Sequence, residues 1–232
     1  MSVEAIAPGL WCVNSHFPSM GFKGSVRMSV ARGDDGALAL YSPVAMTEAD
    51  VAAIEALGPV AAIVAPNTFH YRWLRAAAEL FPAARVFVPE GLEAKIGAVP
   101  RAETMTRATP PALPPGIAHF IFDRHAIRET ALFHGESRTL VTSDLLYNYQ
   151  REHGAGEKAM FGLLGCYGSP KVVFYHRFAL QDKAQVAELI AQVEAWRPRR
   201  IVMCHGRIVE SEDAPEIFAR AWRPFLGAPT RG

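Results

Sequence analysis

Cysteine is scarce in this 232-residue chain: Cys12, Cys166 and Cys204 stand far apart, with no Cys-x-x-Cys among them. Three widely spaced thiols make neither a disulfide framework nor a zinc knuckle, and a reducing compartment suits them best. No run of about 18 apolar residues occurs, which excludes an ordinary membrane-spanning helix. The opening residues, Met1 to Gly9, carry an early acid at Glu4 and no long apolar stretch. No signal peptide is read there, and a cytoplasmic location is expected. An excess of one charge is missing too, since 24 Lys+Arg face 23 Asp+Glu for a formal net charge of +1. Without a basic stripe, neither nucleic acid nor an acidic membrane is an expected partner, and a small molecule is. No Gly-x-Ser-x-Gly elbow, P-loop or Gly-x-Gly-x-x-Gly appears, so serine acyl transfer and nucleotide cradling lack their local machinery.

What is present is half apolar. That suffices for a sizeable core, and one domain over residues 1–232 is expected. Leu10 to Asn14 and Val26 to Arg32 read as strands, the second turning through Gly33-Asp34-Asp35-Gly36 into Ala37 to Tyr41. Thr47-Glu48-Ala49-Asp50 reads as a capped helix start, and the helix stops at Gly58-Pro59. Val60 to Ala65 and Arg85 to Val88 are short apolar runs of the buried-strand kind. Between them a helix is expected from Tyr71 to Leu80. The stretch from Val99 to Gly116, with five prolines, reads as a loop. Ala118 to Phe122, Ile127 to Phe133, Thr139 to Thr142 and Ile201 to Cys204 are further strands. Gln150 to Gly168 reads as an insertion, Asp182 to Trp196 as an amphipathic helix, and Ala214 to Phe225 as a last helix. Two β-rich halves, each followed by αβ units, imply sheets sandwiched between helices.

Polar residues gather at the strand ends, where α/β architectures place their sites. His70 follows the strand ending at Ala65, His125 precedes the one starting at Ile127, Asp144 follows Thr142, and His205 follows Cys204. Imidazoles and a carboxylate suit a first-row metal, yet residues so far apart in sequence converge only if their strands are neighbours. Plainer roles stand beside this one. His70 is either a ligand or a helix-start residue bonded to Asn67. Asp144 is either a ligand or a turn cap, His205 a ligand or a strand exit, His125 a site residue or a loop residue. Glu129 lies in an apolar strand and needs a partner, either Arg128 or Arg138, or a metal or His70 in a site. His134 is expected to be solvated or bonded to Ser137. Cys204 and His205, adjacent on a strand, point to opposite faces and do not pair as nucleophile and base without a bend.

Ile6-Ala-Pro-Gly-Leu-Trp11, the turn from Ala65 to Tyr71, Thr139-Leu-Val-Thr-Ser-Asp144-Leu-Leu and the late strand ending in His205-Gly206 come in a familiar order. Over nearly its whole length the chain resembles the metallo-β-lactamase superfamily. Val64-Ala-Pro-Asn-Thr-Phe-His70-Tyr, Glu129-Thr-Ala-Leu-Phe-His134, Ser137-Arg-Thr-Leu and Val202-Met-Cys-His205-Gly look like a divergent branch of it. The resemblance implies a four-layer αββα sandwich with a metal centre at one edge of the sheets. The superfamily's His-x-His-x-Asp-His motif falls, without gaps, on Pro66-Asn67-Thr68-Phe69-His70-Tyr71. Pro66 and Thr68 cannot replace the first two histidines. His70 takes the place of the motif's aspartate, and Asp144 and His205 stand where the bridging aspartate and final histidine would.

The resemblance therefore implies a depleted centre, with His70, Asp144 and His205 as ligands of one divalent ion (zinc, iron or manganese), never two. The activity it implies is one-metal hydrolysis of an ester, thioester or phosphoester, with Glu129 or His125 orienting the water or acting as general base. The alternative is a non-catalytic, metal-free binding or scaffold protein in which the same cluster is a hydrogen-bonded network.

Overall fold

The computed structural model describes residues 3–19, 22–97, 99–150 and 155–226. Its first sheet is built from β1 (Val3–Ala7), β2 (Leu10–Ser19), β3 (Phe22–Arg32), β4 (Leu38–Tyr41), β5 (Val60–Val64), β6 (Arg85–Pro89) and β7 (Ala102–Met105), side by side in chain order. β1 to β4 form an antiparallel meander, and β4 to β7 run parallel. The parallel part needs crossovers, and helices supply the first two: α1 (Glu48–Leu57) joins β4 to β5, and α2 (Leu74–Leu80) joins β5 to β6. The expected start of α1 is present as a reciprocal cap. The Asp50 amide donates to Thr47 Oγ1 at 3.2 Å, and the Thr47 amide donates to Asp50 Oδ2 at 2.8 Å.

The second sheet has the order β12-β11-β10-β9-β8, from β8 (Ile117–Phe122), β9 (Glu129–His134), β10 (Thr139–Thr142), β11 (Arg200–Met203) and β12 (Val209–Glu210). β10 and β11 are parallel, while β9 runs against β10. The strand pleat assigns the two faces. Val141, Val202 and Cys204 pack with the first sheet, whereas Leu140, Ile201 and Met203 pack against the outer helices. Those helices are α6 (Lys183–Trp196), capped by Asp182, and α7 (Ala214–Trp222), which runs on into a 3₁₀ turn at Arg223–Phe225. The layers are therefore helix, sheet, sheet and helix, as expected.

Some boundaries differ. The proline-rich stretch from Val99 to Gly116 contains β7, since the edge of a sheet tolerates sequences that a central strand would not. β1 and β12 are edge strands as well, with little apolar patterning to announce them. The Tyr71 helix begins only at Leu74, because residues 66–71 form a hydrogen-bonded turn. The insertion from Gln150 to Gly168 carries α4 (Ala155–Leu163), with residues 151–154 outside the described part. α3 (Glu93–Ile96) and α5 (His176–Ala179) are single turns. Among the described residues, no helix is long and apolar enough to cross a membrane.

This topology decides where chemistry can gather. β4 and β5 of one sheet, and β10 and β11 of the other, release the chain at their C-terminal ends with Ser42, residues 66–70, Asp144 and His205. β9, antiparallel to β10, begins at that same edge with Glu129.

Candidate metal centre

Three of the strand-end residues meet. His70 Nε2 lies 3.1 Å from His205 Nε2, and Asp144 Oδ1 lies 3.5 Å and 3.4 Å from those two nitrogens. An ion that holds nitrogen and oxygen donors tetrahedrally at about 2.1 Å sets them roughly 3.4 Å apart. The triangle thus has the edge lengths of one face of such a coordination shell, and its donors are the types that zinc, iron and manganese take. Solvent reaches this face narrowly: the side chains of His70, Asp144 and His205 are 10%, 5% and 11% exposed.

Each of the three side chains is oriented from behind. Ser42 Oγ lies 2.9 Å from His70 Nδ1. When that hydroxyl accepts the Nδ1 proton, the lone pair of His70 is on Nε2, facing the centre. Ser42 holds this place in a left-handed backbone conformation (φ 59°), the kind of local strain that collects at sites. His205 is placed by the turn after β11, where Gly206 has φ 87° and a Cβ would sit 2.4 Å from the Asn148 carbonyl oxygen. Arg27 ties that turn to the first sheet by donating to the carbonyls of Met203 and Gly206 at 2.8 and 3.1 Å. Beyond the end of β11 at Met203, Cys204 and His205 both reach His70.

Asp144 is the most constrained. Its Oδ1 accepts from the Tyr147 hydroxyl at 2.6 Å and its Oδ2 from Asn67 Nδ2 at 2.8 Å. Tyr147 also stacks parallel on His205 at 5.4 Å and shares a 3.0 Å hydrogen bond with the Tyr175 hydroxyl. The turn holding Asp144 is pinned by Trp222 Nε1, which donates to the Leu145 carbonyl at 3.0 Å. Burial would raise the Asp144 carboxyl, but the His70 charge and the hydrogen bonds from His205 and His70 hold it well below the usual carboxylate range. For His70 burial pulls downward, while the Asp144 carboxylate and then Cys204 carry the imidazole well above its ordinary value.

The sequence offers Asn67 as a helix-start partner of His70. It does fill that role, since its Oδ1 accepts from the Phe69 and His70 amides at 2.9 and 3.1 Å. Its other end reaches the second carboxylate, because Nδ2 also donates to Glu129 Oε2 at 2.9 Å. Neither arginine expected as a partner meets Glu129: Arg128 pairs with Glu90, and Arg138 donates to the Arg197 carbonyl. Its Oε1 accepts from the amides of Ser143 at 2.7 Å and Leu145 at 3.4 Å, and its Oε2 from the Asp144 amide at 2.8 Å. Burial and the Asp144 charge raise its pKa to about 7, against the pull of these donors.

His125 stands apart from the triangle. It is buried with its Nε2 3.1 Å from His176 Nδ1, its Nδ1 accepting from the Ile127 amide at 3.3 Å, and its ring stacked on Phe122. Burial, aided by His176, lowers His125 to about 3, and burial lowers His176 to about 4. His134 is buried and bonded both to Ser137 and to the Arg32 carbonyl. Ser42 and Tyr147 are absent from the candidates that the sequence offers. Position was their only signal, a hydroxyl directly after a strand and a phenol three residues beyond Asp144.

Comparison with known proteins agrees with this architecture. A family model, described as "Domain of unknown function (DUF4336)", matches residues 9–93. No curated protein matches the sequence. Among solved structures, a metallo-β-lactamase from Pontibacter korlensis is 12% identical with a TM-score of 0.64, over 96% of this chain and 98% of that one. The TMB-1 structure is 12% identical with a TM-score of 0.66, over 96% and 97%. FIM-1 from Pseudomonas aeruginosa, a metallo-β-lactamase solved in a mono-zinc form, is 12% identical with a TM-score of 0.56, over 98% and 96%. The fold of this chain is that of the metallo-β-lactamases.

Proposed function

We propose that His70, Asp144 and His205 hold one divalent ion, and that the protein is a one-metal hydrolase of a small ester, thioester or phosphoester. The triangle of donor atoms at 3.1, 3.4 and 3.5 Å carries this reading. That a structure of the same fold, FIM-1, has been solved in a mono-zinc form supports it. When bound, such an ion supplies a Lewis acid that polarises a scissile carbonyl or phosphoryl group and acidifies water.

The chain's own residues do the remaining work. Asp144 supplies the negative charge, held ionised by the two imidazoles. Ser42 sets the His70 tautomer and the stack with Tyr147 fixes the His205 ring. Glu129 acts from behind, by gripping the amides of residues 143–145 so that Asp144 points at the centre, rather than as the general base. His125, with both ring nitrogens engaged, supports the packing of α5 rather than touching substrate.

The test is metal content of protein prepared without chelator or metal-affinity resin, together with Asp144→Asn. About one equivalent of zinc, iron or manganese is expected in the wild type, and none in the variant, which keeps the shape and loses the charge. A wild type that stays metal-free after equilibration with all three ions, yet is destabilised by Asp144→Asn by about 1–3 kcal/mol, would make the cluster a hydrogen-bonded network instead.

A further inference from the structure

Two buried carboxylates point at the same nitrogen. Asn67 Nδ2 donates one proton to Glu129 Oε2 at 2.9 Å and the other to Asp144 Oδ2 at 2.8 Å. Asn67 itself is fully buried, and its Oδ1 is spent on the Phe69 and His70 amides, so the amide cannot turn over without losing four hydrogen bonds. Side by side in a protein interior, two carboxylates need either a shared proton or a positive charge between them. Here a neutral amide lies between them, offering the positive ends of its two N–H bonds.

We infer that Asn67 stands in for a second cation: it bridges Glu129 and Asp144 as an ion would, and thereby limits the centre to one metal. This rests on the one-metal reading of His70, Asp144 and His205. The geometry is specific. A trigonal nitrogen at these distances holds the two oxygens about 5 Å apart, whereas an ion bonded to both would hold them within about 4.4 Å. Closing that gap requires the amide to leave. The same bridge turns Asp144 so that Oδ2 faces Asn67 while Oδ1 faces the imidazoles, which is the arrangement a single ion at the triangle needs. Asn67 is thus a positioning residue for both halves of the site, holding the His70 backbone with one end and the Asp144 carboxylate with the other.

Manganese binding to the full chain tests this, read by stoichiometry and by electron paramagnetic resonance. The wild type should take up one equivalent and give the signal of an isolated ion, even with manganese in large excess. Asn67→Asp keeps the side-chain shape and exchanges the donor amide for a third carboxylate. It should take up two equivalents and give an exchange-coupled signal, because Asp144 would then bridge neighbouring ions. Asn67→Ser, which removes the bridge without adding charge, should keep one equivalent bound 10- to 100-fold more weakly.

A folded Asn67→Asp protein that binds one equivalent with an isolated-ion signal overturns the inference and leaves the one-metal reading intact. A wild type that binds two equivalents overturns the inference as well, and one that binds none overturns both. Should Asn67→Asp fold only when manganese is present, recovery with two equivalents supports the bridge. No recovery, together with wild-type affinity in Asn67→Ser, refutes it.

Discussion

Replacing Glu129 by glutamine isolates the energetic position of the second buried carboxylate. Glu129 accepts from three backbone amides and from Asn67, and those bonds favour the charged form. Burial and the neighbouring Asp144 oppose it more strongly, raising its pKa from 4.5 to about 7. A group whose pKa is raised in the folded state stabilises the fold most below its unfolded value and loses that stabilisation as pH rises through the folded value. For a shift from 4.5 to about 7, the contribution is about 2.5 kcal/mol at pH 5 and close to zero at pH 8.5. Glutamine cannot titrate. Its amide also sets a donor against either the Ser143 or the Asp144 amide, a cost of about 1–3 kcal/mol that does not depend on pH. The variant should therefore be less stable than the wild type at pH 5, and the gap should shrink by about 2–3 kcal/mol by pH 8.5. Urea unfolding of both proteins, freed of metal by chelator, measures this at about four pH values across the range. Parallel stability curves for the two proteins would refute the assignment, since they would mean that Glu129 titrates alike folded and unfolded.

Other expectations follow from the same geometry. Ser42→Ala removes the partner of His70 Nδ1 and should weaken metal binding by about 10- to 100-fold in calorimetric titration. It should lower stability by only about 1 kcal/mol, and unchanged affinity would show that Ser42 does not set the His70 tautomer. The His125–His176 pair, with pKa values lowered to about 3 and about 4, is stable neutral. Stability from this pair is present above the unfolded value of 6.5 and is lost as pH falls below it, by about 2 kcal/mol per histidine by pH 5. Unfolding of a His125→Phe/His176→Phe double variant should lack this acid limb, and an acid limb as steep as the wild type's would place the effect elsewhere.

Local chemistry alone determined much of this protein. Thr47 and Asp50 announce a helix start because both capping bonds lie within one turn. Val141, Val202 and their alternating neighbours announce strands because side chains switch face at every residue. His70, Asp144 and His205 are legible as candidates because each lies in the segment that follows a strand, and because their order along the chain resembles a known one. What only the tertiary structure decided is who touches whom. Glu129 lies 62 residues from Asn67, and its partners prove to be that amide and the backbone of a turn, not the arginines nearest in sequence. His125 stands beside the same strand edge, yet it turns to His176 across 51 residues and away from the triangle of His70, Asp144 and His205. Ser42 and Tyr147 carry no local signature, since a serine or tyrosine after a strand serves many purposes. Their roles arise when two sheets bring the ends of β4, β5, β10 and β11 to one edge. A hydrogen bond depends on position to a fraction of an ångström, and over long sequence separations it is the packing of the sheets that sets such positions.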